Sequence, residues 1–516
     1  MKISENVLVI LGLTPISALI AIGLSGFQLN HAVITFNQTR ILELLLLAWI
    51  TPAAFLYAID SRPNRASLLR AGSATLLLLS LGLASTMATQ YPLAALQDWA
   101  HYTLLSIAII AFANLASMNL QLGVKIVAAG VVLGISLALA RFSIQVILTL
   151  SMNVVTPLAQ WWSAYSNPRF IAQALVWIIP MLTILPDLWP TFRNRPNTSW
   201  NVLNGCLWML LFWTGSRAEL LSLALSMALI AILMQRQAIS FFMRMSLHAS
   251  IGCILWLITR IALSKDIAGT ESLRFARYSS SGRDWLIERS MELAVAHPWL
   301  GVGPAHFSVY NQLSSVPSAH PHNLILQIAA EWGLPAATLL LYLIWRFIRE
   351  QFYLAQYVPA TFDSASNIRS ALKVPLLATL FAVIFASMLD GIHVMPLSEL
   401  IGTPVLGLML AINMSVENQQ PQFHLCCKKG LVAALVILCW GILIFSIFWQ
   451  RDCLTYPIRA ERLIGGQIGN DNPRFWVQGR IPLGDGCMEI GRYQSGRDTL
   501  TGKSVDGFST TEQYWR

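Results

Sequence analysis

The sequence predicts an all-α, polytopic integral membrane protein of about 12–13 spans, and three observations carry that prediction. Apolar residues make up 55% of the 516 residues and charged residues only 11%, against about a quarter charged in soluble chains. Mean hydropathy is +0.59. Apolar runs long enough for membrane helices recur from Val7 almost to Trp449. A soluble enzyme, a coiled coil and a disordered chain are all excluded. The net charge of +9 forms no stripe suited to nucleic acid, and the seven cysteines contain no CxxC pair.

The spans follow in order. No Asp, Glu, Lys or Arg falls between Glu5 and Arg40, and no small-residue cleavage site follows the apolar core, so 7–24 is a retained first span rather than a signal peptide. Apolar runs between polar loops then place spans at 41–59, 71–87, 102–118 and 126–140. Further runs give 170–185, 199–214, 220–234 and 245–263. After a polar segment come 323–345, 374–388, 397–414 and 431–449. Residues 142–163 fit a re-entrant segment, an interfacial one or a long fifth helix.

Lys and Arg set the orientation. With the N-terminus in the cytoplasm, the inner loops hold Arg62, Arg65, Arg70, Lys125, Arg193, Arg195, Arg236, Arg244, Arg346, Arg349, Arg369, Lys373, Lys428 and Lys429. The outer short loops hold Arg40, Arg141, Arg169 and Arg217. Two outward pieces result: a loop at 265–322 within a transmembrane domain at 1–449, and a tail at 450–516. From Arg451 to Arg516, 17 of 66 residues are charged, so the tail is water-soluble. Its two cysteines, Cys453 and Cys487, are expected to pair in an oxidising compartment.

Three basic groups gather on the outer face. Ser216 and Glu219 have capping-box spacing before an apolar run, which puts Arg217 at a helix N-terminus, where free N–H groups favour an anion. An interfacial arginine anchor has the same sequence. Arg283 follows a Ser/Gly stretch and begins an amphipathic segment that ends at His297-Pro298, with Arg274 and Arg277 just before it. A solvated basic loop is the alternative there. His322, with His320 two residues earlier, precedes the tenth span, along which Asn323, Gln327 and Glu331 recur at i, i+4 and i+8. Such a polar stripe faces the bundle interior, and Pro335 is expected to kink the helix behind it. Gly301-Val302-Gly303-Pro304 is a turn, since no βαβ unit surrounds it.

Together, Ser-Arg-Ala-Glu at 216–219, Ser-Gly-Arg-Asp-Trp at 281–285, Pro-Trp-Leu-Gly-Val-Gly-Pro at 298–304 and His-Asn-Leu-Ile-Leu-Gln-Ile-Ala-Ala-Glu-Trp-Gly-Leu-Pro-Ala at 322–336 resemble the O-antigen ligase superfamily. The family includes lipid A-core O-antigen ligases, O-antigen polymerases and pilin-type protein O-oligosaccharyltransferases. The resemblance covers roughly 165–415. It implies a GT-C-like bundle in the bacterial inner membrane, facing the periplasm. It also implies a polyprenyl-diphosphate-linked glycan donor and transfer onto an acceptor hydroxyl, with no metal or other cofactor. By carry-over, Arg217 and Arg283 hold the diphosphate and His322 is the general base, oriented by Glu331 or His320. Imidazole, with an ordinary pKa of about 6.5, suits that role. Arg274, Arg277, His320 and Asn323 complete the expected substrate site.

The thirteenth span and the exported tail, together with the Ala-Glu-Trp-Gly-Leu-Pro wording, favour a protein acceptor such as pilin. Lipid A-core ligase is the next reading and O-antigen polymerase the third. A flippase or transporter without covalent chemistry is the non-enzymatic alternative. It would show pseudo-symmetric halves and charged groups near the membrane midplane, of which only Glu331 stands out.

Overall fold

The computed structural model describes residues 4–28, 35–58, 66–89, 91–152, 161, 164–165, 167–183, 186, 198–263, 282–311, 318–357, 364–416 and 428–449. Among these the chain is helical, without strands. The helices are α1 (Glu5–Ser25), α2 (Thr35–Ala58), α3 (Ala66–Thr86), α4 (Pro92–Met118), α5 (Leu120–Met152), α6 (Pro168–Leu182), α7 (Thr198–Thr214), α8 (Arg217–Met234) and α9 (Ile239–Ala262). They continue as α10 (Arg283–Ala296), the single turn α11 (Phe307–Tyr310), α12 (Leu324–Trp332), α13 (Leu334–Tyr357), α14 (Ser364–Leu389), α15 (Pro396–Val416) and α16 (Lys428–Trp449).

Each predicted span falls on these helices, the tenth on α12 and α13 together. Six helical stretches are long and apolar enough to cross a membrane: Glu5–Ser25, Pro92–Met118, Leu120–Met152, Arg217–Ala262, Ala371–Leu389 and Pro396–Asn413. Shorter apolar helices include Pro168–Leu182 and Val432–Phe448. This is an all-α, multi-pass membrane protein. Its helices carry apolar side chains on both sides, as a lipid solvent requires. Ile232, Ile261 and Ile437 are more than two-thirds exposed, while Leu13, Ile20, Leu47 and Leu210 are fully buried.

Helix pairs next in space are tied by polar bonds. Ser17 Oγ of α1 donates to the Ile126 carbonyl of α5 (2.8 Å), and Trp177 Nε1 of α6 donates to Ser398 Oγ of α15 (2.8 Å). Such bonds substitute for the hydrophobic drive that lipid removes.

Three expectations change. α2 starts at Thr35 and α4 at Pro92, so Arg40 and the Gln97–His101 turn, expected in polar loops, lie inside helices and are buried. Of the three readings of 142–163, the long fifth helix holds as far as Met152. The tenth span is broken, not kinked: Gly333, at φ 91°, separates α12 from α13. A Cβ there would overlap the Trp299 carbonyl, so only glycine fits this crossing. Pro335 sits in the first turn of α13, where its missing N–H costs nothing. Cys453, Cys487, Arg274, Arg277 and the tail at 450–516 lie outside the described residues.

Candidate functional site

α12 is a half-helix whose N-terminus carries the histidines. Asn323 caps it, accepting the Leu326 N–H (3.0 Å), while its Nδ2 donates to the Met388 carbonyl at the end of α14 (3.2 Å). Just before the cap, His322 has φ 55°. A left-handed backbone is uncommon for a residue with a Cβ and marks a position held by its surroundings.

What holds the His322 ring is Asp390, the residue after α14: Nδ1 and Asp390 Oδ1 lie 2.8 Å apart. Asp390 Oδ1 also accepts the Gly391 N–H (2.8 Å). Burial opposes the Asp390 charge, but the hydrogen bond and charge of His322, with the guanidinium of Arg169 at the start of α6, outweigh it. Its carboxyl is held well below the usual carboxylate range. An ionised Asp390 requires the proton on Nδ1, which leaves Nε2 with a lone pair. His322 is about one-fifth exposed, so that nitrogen belongs to a partly accessible group.

The orienting partner expected from sequence was Glu331 or His320. Glu331 is instead fully buried, accepting the Phe307 N–H (3.2 Å) and the Gln327 amide (3.4 Å). It thereby ties α12 to the turn of α11. His320 accepts the His322 backbone N–H at Nδ1 (3.3 Å), and its ring stacks edge-on against that of His322 at 4.3 Å. Gln327 Oε1 meets His393 Nε2 at 2.8 Å. The stripe of Asn323, Gln327 and Glu331 therefore faces the bundle, as its spacing implies.

The two arginines open helices. Arg217 is the exposed first residue of α8, two positions before the fully buried Glu219. The capping box does not form. Ser216 Oγ donates to the Glu219 carboxylate, and the Ser216 N–H goes to Thr214 Oγ1 (3.2 Å). Arg283 opens α10, a helix packed on α12 through Leu286, Leu293 and Ala330.

The α14–α15 connector, residues 390–395, was missed by the sequence reading and joins this site to a second polar cluster. Gly391 packs against the His320 ring so closely that a Cβ would overlap it. At the far end, the Val394 carbonyl accepts Arg40 Nη2 (3.0 Å). Arg40 is 1% exposed and also bonds Glu43 and Glu399 Oε2 (2.6 Å), while His101 Nε2, 3.0 Å from Arg40 Nη1, pairs with Glu43 Oε1. The ligand atoms of Glu43, His101 and Glu399 lie within 4.8 Å of one another, a metal-like set. Arg40 Nη1 is in hydrogen-bond range of all three, so the guanidinium is the cation held there. Charged residues within apolar spans were the available signal: Arg40 and Glu43 at i, i+3, and Glu399 opening its helix.

Comparison with curated proteins finds no match. Residues 202–341 match the family model described as O-antigen ligase. The matched stretch contains Arg217, Glu219, Arg283, His320, His322 and Glu331, and ends eight residues into α13. Within this helical membrane architecture, that segment is similar to the O-antigen ligase family.

Proposed function

We propose that the protein transfers a glycan from a polyprenyl-diphosphate carrier to an acceptor hydroxyl at the periplasmic face of the bacterial inner membrane. The observation that carries this reading is the 2.8 Å pairing of Asp390 with His322, which lies with Arg217 and Arg283 in the family-matched segment. His322 Nε2 takes the acceptor O–H proton as the oxygen bonds the anomeric carbon. The bond from that carbon to the diphosphate oxygen breaks, and its electron pair leaves on the lipid diphosphate. Arg217 and Arg283 neutralise that leaving group, so no metal is needed; planar guanidiniums suit phosphate oxygens and helix N-termini add N–H donors. His320 and Asn323 fix the His322 backbone, and Arg274 and Arg277 are further phosphate contacts.

The acceptor is a Ser or Thr of a protein such as pilin. The support is the thirteenth span and the charged, aromatic composition of 450–516, of the kind that protein contacts use. The test is expression in cells that make a polyprenyl-diphosphate glycan but lack their own ligase, together with a type IV pilin. Intact-mass analysis should find a glycan increment on pilin that is absent with His322→Ala. Glycan on lipid A-core with unmodified pilin would replace this acceptor with the core-ligase one.

A further inference from the structure

We infer that Arg40, in α2 and outside the family-matched segment, is a positioning residue for the transfer reaction: its guanidinium fixes the turn that carries Asp390, and through Asp390 it aligns His322. The inference rests on the proposed role of His322 as base. Asp390 follows the last residue of α14, and its N–H donates back to the Ala386 carbonyl (2.7 Å). Beyond it the chain turns at once. The Val394 N–H donates to the Gly391 carbonyl (3.0 Å), and the Gly391 N–H donates to Asp390 Oδ1 (2.8 Å). Val394, Gly391 and the Asp390 carboxylate are therefore one hydrogen-bonded unit, and a displacement of Val394 is passed to the carboxylate that holds His322.

The second span supplies the outside hold on that unit. Phe36 and Arg40, four residues apart, lie on one face of α2. Phe36 packs with Val394, Met395 and Phe170 of α6, while Arg40 Nη2 donates to the Val394 carbonyl (3.0 Å). The other arm of the guanidinium is occupied elsewhere. Nη1 donates to Glu43 and to Glu399 Oε2 (2.6 Å), in the first turn of α15. An ammonium would neutralise those carboxylates equally well, so the arm that reaches a backbone carbonyl is what calls for the planar fork. One cation thereby ties the turn to the helix that follows it.

The turn meets His322 from two sides. Asp390 pairs with Nδ1 of its ring (2.8 Å), and Gly391 packs on the ring of His320, whose Nδ1 accepts the His322 N–H (3.3 Å). A slack turn would loosen both contacts together. The ring would then sample the other tautomer, with the proton on the nitrogen that must accept one.

Arg40→Lys separates the two arms, because one ammonium can stand between the carboxylates but cannot also reach the Val394 carbonyl. In glycan transfer it should lose about tenfold to a hundredfold in kcat, with the donor KM unchanged. Added to Asp390→Asn it should cost less than about twofold, since a residue that acts through Asp390 then has nothing left to align. Nitrogen-15 NMR of the histidine-labelled full chain in lipid nanodiscs reads the alignment without turnover. The His322 signals, assigned by their loss in His322→Ala, should place the proton on Nδ1 in the parent and on both nitrogens in Arg40→Lys. Should Arg40→Lys fail to accumulate, Arg40→Met with Glu43→Gln and Glu399→Gln removes the charges together and the same Val394 donor, and should show the same loss and tautomer mixture. Parent-like kcat without the guanidinium overturns the inference, as does an equal loss in the parent and Asp390→Asn backgrounds. A tautomer mixture in Arg40→Lys while His322→Ala transfers glycan at full rate keeps the positioning by Arg40 and removes only the base.

Discussion

Arg40→Ala tests whether the buried cluster between α2, α4 and α15 is an ion network that depends on its cation. Arg40 is 1% exposed and gives hydrogen bonds to Glu43, Glu399 and the Val394 carbonyl, with His101 Nε2 3.0 Å from its Nη1 and paired with Glu43. Removing one partner of a buried pair costs about 3–5 kcal/mol, because the remaining charge has lost its compensation. Here two carboxylates lose it together, and protonation of one limits the penalty, so the expected loss is about 3–5 kcal/mol. Arg40→Met with Glu43→Gln and Glu399→Gln removes the charges together and should fall within about 2 kcal/mol of the parent. Equilibrium unfolding in mixed micelles, followed by tryptophan fluorescence, reads both. An Arg40→Ala protein within about 1 kcal/mol of the parent, or a triple variant weaker than the single one, would refute the reasoning.

Other outcomes follow from the same geometry. Arg40→Ala exposes a Glu43–His101–Glu399 set whose donor atoms span at most 4.8 Å, so calorimetry should find one Zn2+ bound per chain where the parent binds none at this site. Asp390→Asn should accumulate normally but lose about 10²–10⁴ in kcat, because an amide facing Nδ1 favours the wrong tautomer. Arg217→Lys and Arg283→Lys should each cost about tenfold or more in transfer, since an ammonium keeps the charge and loses the fork, while EDTA leaves the parent rate unchanged. Gly391→Ala drives a methyl into the His320 ring and should cost about 1–3 kcal/mol in stability and slow transfer as well.

The parts of the fold visible in sequence were those written as local pattern. Apolar runs marked the spans, and the i, i+4, i+8 spacing of Asn323, Gln327 and Glu331 correctly aimed one face of α12 inward. His322 announced itself by standing at the head of that stripe. Asp390 did not, because its partner lies 68 residues away and a single Asp after an apolar run resembles any span boundary. Helix starts were misjudged where polar residues begin a buried helix. Asn37, Gln38 and Arg40 look like loop but are buried inside the bundle, and α2 begins at Thr35. Ser216 and Glu219 have the spacing of a cap, but the Ser216 hydroxyl donates to the Glu219 carboxylate and the Ser216 N–H goes to Thr214 Oγ1, which spacing alone does not reveal.

The break at Gly333 also bears on how the chain is assembled. Leu324–Trp332 has nine residues, fewer than half of the ~20 a membrane-spanning helix needs. Inserted alone, it would present its last carbonyls to hydrocarbon, where unsatisfied backbone groups are expensive. Two loop contacts prevent this. The Val302 and Gly303 N–H groups donate to the Ala330 and Glu331 carbonyls (2.9 and 2.8 Å), and beside them the first N–H of α13, at Leu334, donates to the Pro298 carbonyl (2.8 Å). The two helices of this span are thus held by residues 298–303, so the backbone that carries His322 depends on a segment that precedes it in the chain.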